Sequence, residues 1–342
     1  MIFSTLFSRI SSNVFCKSVR SHFIISHSYR THFKVCTLNL FNYVAPPNAF
    51  YESENIYSAK QWEKKEHWIS TRLNHLEPDI IGFQEVFSPK ELRELAAKHH
   101  LPHFVTVSEP GIKELYVYDK PVVALASKFP IVSLESVKVK GSVLDDLNIQ
   151  PNFSFSRSPL KAEIFVEGLG NILIYVVHLK SQRSKLESAI KQTEDALSDI
   201  SESMLKQVHG RLASSIQRGI EAALIYQDIV EEMHIKERPV ILMGDLNDTV
   251  QSHAIKPLLG GSNMDKLNDK FVANLTLSQQ RAVQRFSLYD GFYLQDNINA
   301  TERQPTHYFA NQGNVLDYIL LSKDFDMHYD HSIASVSNYI VS

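Results

Sequence analysis

The chain has 342 residues, 44% hydrophobic and 21% charged, with a formal net charge of −3. This is the balance of a soluble globular protein with a sizeable core, in one large domain or two ordinary ones, and it excludes a disordered chain. Two cysteines, Cys16 and Cys36, exclude a disulfide scaffold and favour a reducing compartment, and no apolar run is long enough to span a bilayer.

Residues 1–30 are rich in Ser, Arg and His and hold no acid; Arg9, Lys17, Arg20 and Arg30 all precede the first acidic residue, Glu52. Taking those four from 35 basic residues leaves 31 against 38 acids, or −7 for the rest. Such a body has no global basic field for nucleic acid, so a polyanionic substrate must be gripped locally or through a cation. The head has the composition of an organelle transit peptide and equally that of a disordered extension. Neither reading packs it on the core. The expected location is cytoplasmic, with organelle import if the head is a transit peptide. The three Asn-x-Ser/Thr matches, at Asn152, Asn274 and Asn299, carry little weight without a secretory signal.

From residue 31 to residue 342 the chain reads as one domain. Apolar runs bounded by turn residues predict strands: FKVCTLN at 33–39, DIIGFQE at 79–85, VVALAS at 122–127, NILIYVVH at 171–178, PVILMG at 239–244 and VLDYILL at 315–321. Several read as buried on both faces. KQWEKKEHWISTRLNHLE predicts a helix that stops at Pro78. SPKELRELAAKHH predicts a second, with Ser88 as cap, Pro89 in the first turn and Glu91 in the capping-box position. HHLPH at 99–103 lacks an acid or thiol partner and reads as a solvated loop, not a metal site.

A helical excursion at about 183–233 reads as one long or two shorter amphipathic helices. Leu186, Ile190, Leu197, Ile200, Leu205, Leu212 and Ile216 are spaced roughly on a helical period. It is expected to be solvated, or to lie over a substrate.

Strand ends carry the chemistry. Asn39 follows VCTL, Glu85 follows IIGFQ, His178 follows ILIYVV, and Asp245 and Asn247 follow VILMG. Loops at one end of a sheet scaffold can bring such residues together. Singly, each has a structural reading: a helix cap, a satisfied core histidine, an Asx-type turn.

Their joint occurrence, with GFQEV at 82–86, ALASKFPI at 124–131, SRSPLKAEI at 156–164, VVHLKS at 176–181, MGDLND at 243–248 and LDYILLS at 316–322, resembles the endonuclease/exonuclease/phosphatase superfamily. The resemblance, from about Phe33 to the end, implies a four-layered α/β sandwich, two mixed sheets face to face with helices outside. It implies a metal-dependent phosphoesterase or nuclease acting on nucleic acid, phospholipid or phosphoinositide, with Mg²⁺ (or Mn²⁺) held by Glu85 and Asn39. Asp245 and Asn247 would orient the attacking water and the phosphate, and His178 would stabilise the transition state. Arg157 and Lys180 are the implied substrate contacts. In THYFANQGN at 306–314, Tyr308 and Phe309 are placed to stack on a base, to touch a lipid chain, or simply to pack in the core. A monomer is expected.

The family runs on from the final strand into Ser-Asp-His, whose histidine pairs with the acid that Asp317 matches. This chain stops at SNYIVS. The expectation is a truncated and severely impaired enzyme; the alternative is a family member that binds without turnover.

Overall fold

The apolar runs become strands because their branched and aromatic residues fit a pleated surface buried on both sides. The computed structural model describes residues 4–9, 32–184, 196–260, 275–295, 303–309 and 311–341. In chain order the strands are β1 (Ser4–Arg9), β2 (His32–Tyr43), β3 (Ala49–Phe50), β4 (Ile80–Val86), β5 (His103–Thr106), β6 (Gly111–Glu114), β7 (Val117–Lys120), β8 (Val122–Ser127) and β9 (Ile131–Ser136). They continue with β10 (Leu160–Val166), β11 (Gly170–His178), β12 (Val240–Asp245), β13 (Leu288–Asp290), β14 (His307–Phe309), β15 (Gln312–Asn314), β16 (Asp317–Ser322) and β17 (Ser335–Val341).

Two six-stranded sheets dominate, in the orders β17-β1-β2-β4-β8-β5 and β13-β16-β12-β11-β10-β9. Each is antiparallel except for one central parallel pair, β2 with β4 and β11 with β12. Val35, Ile80 and Leu125 of the first sheet meet Ile174, Val176, Ile241 and Ile319 of the second in the core between them. Helices α1 (Ala59–Leu76) and α2 (Pro89–Lys98) cover the first sheet with Ile69, Leu73, Leu92 and Leu95. Of three further helices among the described residues, α3 (Gly141–Asp146) is a short one, α4 (Ala196–Lys236) covers the second sheet with Ala222, Ile225, Ile229 and Met233, and α5 is Leu277–Arg285. This is the four-layered α/β sandwich.

Three details differ from the sequence reading. Ser4–Arg9, inside the segment expected to stay off the core, forms β1, which is hydrogen-bonded on both sides, to β2 and to β17. Ser88 makes no side-chain cap for α2; its hydroxyl accepts the Ala45 N–H at 2.8 Å, while a full capping box forms at α1 between Ser58 and Gln61. His99 is tied to Ser70 and Asn74 of α1. The excursion agrees with the reading of one long, solvated helix: it runs over 196–236, and Leu197, Ile200, Leu205, Leu212 and Ile216 are exposed on it. A helix of 41 residues is about 60 Å long, far more than the sheet beneath it needs, so only its second half finds apolar cover. Leu186 and Ile190 lie outside the described residues, as does Cys16; Cys36 is buried.

Candidate active site

The two parallel pairs end on the same side of the sandwich, and their last residues are polar. In the second sheet the register places His178 beside Asp245 and Asp245 beside Asp317, so that three strands present three titratable groups in one row. In the first sheet the pairing of β2 with β4 shifts register between Asn39 and Tyr43, and that of β4 with β8 shifts between Phe83 and Val86. Such irregularities re-aim side chains. Phe41, Asn42 and Glu85 there take positive φ of 50°, 60° and 60°.

The sheets meet through Asn39, whose Nδ2 donates to Asp245 Oδ2 at 2.9 Å and to Glu85 Oε1 at 3.3 Å. Its Oδ1 accepts the Phe41 N–H at 2.9 Å, and the Asn42 N–H holds Glu85 Oε2 at 2.8 Å. Beneath them Thr37 and Gln84, both fully buried, satisfy each other through paired side-chain hydrogen bonds.

Asp245 also closes an Asx-type turn by accepting the Asn247 N–H at 2.8 Å. Burial, together with the charge of Glu85, pushes its carboxyl up to about 6, although the Asn247 and Asn39 hydrogen bonds and Arg157 pull the other way. Burial and the charge of Asp245 hold Asp317 well above the usual carboxylate range. Asp317 Oδ1 is buried with no hydrogen-bond partner among the described residues. Two adjacent buried carboxylates cannot both ionise cheaply.

His178 is 4% exposed, and its Nε2 stands 3.6 Å from Asp245 Oδ2. Burial, with Arg157 and Lys180 nearby, keeps its pKa well below the ordinary histidine value. The ring is therefore neutral and has one N–H to give. Arg157 donates to the Leu179 carbonyl at 3.3 Å, while its own Nε is buried with no hydrogen-bond partner among the described residues. Asn247, at φ 54°, donates from Nδ2 to the same Leu179 carbonyl at 3.0 Å.

Asn39, Glu85, His178, Asp245, Asn247, Asp317, Arg157 and Lys180 thus share one end of the sandwich. Tyr308 stands 60% exposed on the β14–β15 hairpin, which is tied to this end through Thr306; its hydroxyl accepts the N–H groups of Leu316 and Asp317. The sequence reading missed Thr306, Arg218 and Glu221. The last two lie almost fully buried on α4, and their only sequence signal is charge on the apolar side of an amphipathic helix.

Among the described residues no three side chains of His, Cys, Asp or Glu gather as a metal-ligand cluster. The oxygen donors at the sheet junction are two carboxylates and one amide.

The sequence model of the Endonuclease/Exonuclease/phosphatase family matches residues 37–331, the span that holds every residue of this site. The chain belongs to that family. Among solved structures of similar fold is the human Nocturnin catalytic domain with bound sulfate anion, at 14% identity and TM-score 0.47, covering 82% of this chain and 85% of that one. Two others are ANGEL2, a 2',3'-cyclic phosphatase, at 14%, 0.46, 81% and 77%, and a mannosyl-6-phosphatase of Bacteroides thetaiotaomicron, at 16%, 0.44, 84% and 85%. Comparison with curated protein sequences finds no significant match.

Proposed function

We propose that this family member is a phosphoesterase that hydrolyses a phosphodiester with the aid of Mg²⁺ or Mn²⁺. The observation that carries the reading is the junction itself, where Glu85 and Asp245 converge on the single amide of Asn39 across two sheets. Like charges brought together around an amide suit a hard divalent cation, and the charge of Glu85 adds to the burial that raises the pKa of Asp245. Glu85 and Asn39 would hold the ion. When bound, it offsets charge on the phosphoryl and leaving oxygens.

The protein's own groups complete the chemistry. Asp245, once ionised, accepts a proton from water or fixes its direction, and Asn247 orients the same water from the adjoining turn. Neutral His178 donates its N–H to the charge that develops on an equatorial oxygen. Arg157, whose Nε has no hydrogen-bond partner among the described residues, and Lys180 take the non-bridging oxygens. Tyr308 offers an exposed ring to a base or an acyl chain. This local grip is what a body of net negative charge requires of a polyanionic substrate.

The test is hydrolysis of DNA, RNA, sphingomyelin and inositol phosphates side by side, with Mg²⁺ and with chelator. Turnover of one of them, abolished by chelation and reduced at least about 100-fold in Glu85→Gln, is expected. A Glu85→Gln variant with the wild-type rate at limiting Mg²⁺ would overturn the metal assignment, and no turnover of any phosphodiester would favour a binding role.

A further inference from the structure

The three loops that carry Arg157, Lys180 and Asp245 follow or precede neighbouring strands of the second sheet, and one face of α4 holds all three. Ser214, Gln217, Arg218 and Glu221 are spaced 3, 1 and 3 apart, which puts them on one side of the helix. Ser214 donates to the Arg183 carbonyl at 2.7 Å, and Gln217 donates to the Ser154 carbonyl at 2.9 Å. Arg218 donates to Asp248 Oδ2 from two nitrogens, at 2.7 and 3.2 Å, and to the Lys180 carbonyl at 3.0 Å. Glu221 accepts the Ser156 N–H at 2.7 Å on one oxygen and the Lys180 N–H at 2.8 Å on the other.

Arg218 is 3% exposed and Glu221 1%. Charges taken so far out of water are costly, and hydrophobic residues usually cover a sheet as well or better. The next turns of α4 do so, with Ala222, Ile225 and Ile229. A purely packing role therefore leaves the two charges unexplained. Their partners explain them: Ser156 adjoins Arg157, Lys180 lies two residues after His178, and Asp248 follows Asn247.

We propose that Arg218 and Glu221 are positioning residues that lock the Arg157, His178–Lys180 and Asp245–Asp248 loops to one rigid helix, and so set the relative placement of the phosphate-binding and proton-handling groups. This rests on the function proposed above. Neither residue touches substrate; each acts through the loops it holds, and displacement of such loops by about 1 Å can cost two orders of magnitude in rate.

The experiment uses the full chain with Mg²⁺ and bis(4-nitrophenyl) phosphate, and the variants Glu221→Gln, Arg218→Met and Arg218→Lys. For Glu221→Gln and Arg218→Met, kcat is expected to fall roughly 10- to 100-fold with KM within about threefold of wild type, and Arg218→Lys to recover part of the loss. In Glu221→Gln the amides of Ser156 and Lys180 should also lose hydrogen-exchange protection while the core strands keep theirs. Unchanged kcat per folded molecule, whatever the melting temperature, would overturn the proposal. If the wild-type chain proves inactive, the functional reading fails by itself. The loop lock is then judged by exchange alone: faster exchange at the two amides supports it, and unchanged exchange overturns it.

Discussion

Asp245 sits where its neutral form is favoured, and this has a sign that can be measured. Its folded pKa, about 6, lies above the ordinary 3.8, so between those values the native state holds a proton that the unfolded chain has released. The contribution is fully present below about pH 4 and is lost as pH rises through about 6, on the order of 2–3 kcal/mol for this buried group. Asp317 is shifted in the same direction. Urea unfolding in chelator should show wild-type stability falling over that window, and Asp245→Asn should flatten the fall; parallel pH profiles would show that Asp245 is not buried as described. Gly244, one residue earlier, has φ of 146°, and a Cβ there would lie 1.9 Å from the Val177 carbonyl oxygen. Gly244→Ala is expected to cost about 1–3 kcal/mol in the same assay and to lower turnover by moving Asp245.

At the scale of elements, the packing of one sheet on the other depends on a missing Cβ at Gly82. A Cβ on Gly82 of β4 would meet Met243 Sδ at 2.9 Å and Val176 Cγ1 at 3.0 Å across the core. Gly82→Val should therefore destabilise the fold by about 1–3 kcal/mol through overpacking. The flexible Met243 chain can give way, so Met243→Ala in the same chain should return part of that loss, and a double-mutant cycle reads the coupling. Strictly additive effects would show that β4 and β12 do not press on each other there. The β13–β16 edge is held differently: Arg303 stacks on the rings of Tyr318, Phe292 and Tyr339, forms an ion pair with Asp290 and donates to the Asp317 carbonyl and the Tyr339 hydroxyl. One planar cation thus joins β13, β16 and β17 beside the acid row.

For the whole molecule the consequential finding is β1. It pairs with β2 over six positions and with β17 on its other side, and β17 has no other strand neighbour in the sheet. Removing an interior strand leaves two rows of backbone groups without partners. Deletion of residues 1–10 is therefore expected to lower the melting temperature by several degrees or more, as calorimetry would record. An unchanged melting temperature would mean that the head is dispensable, as its transit-peptide composition predicts. Among the described residues no helix is long and apolar enough to cross a membrane.

What the sequence by itself determined is local. Runs such as VVALA and ILIYVV read as strands buried on both faces because they are wholly apolar and bounded by turn residues, and ILIYVV ends in His178. The motifs around Asn39, Glu85, His178 and Asp245 made the family legible as well. Local pattern was misleading where a distant partner competed for the same group. Ser88 had the right neighbours for a cap, but its hydroxyl accepts the Ala45 N–H instead. Only the tertiary structure decided that Asn39 and Asp245, 206 residues apart, share a hydrogen bond, that Asp317 lies beside Asp245, and that Ser4–Arg9 enters a sheet. Those facts follow from strand order and register, which depend on hydrogen bonds between segments far apart in the chain, and no window of neighbouring side chains contains them.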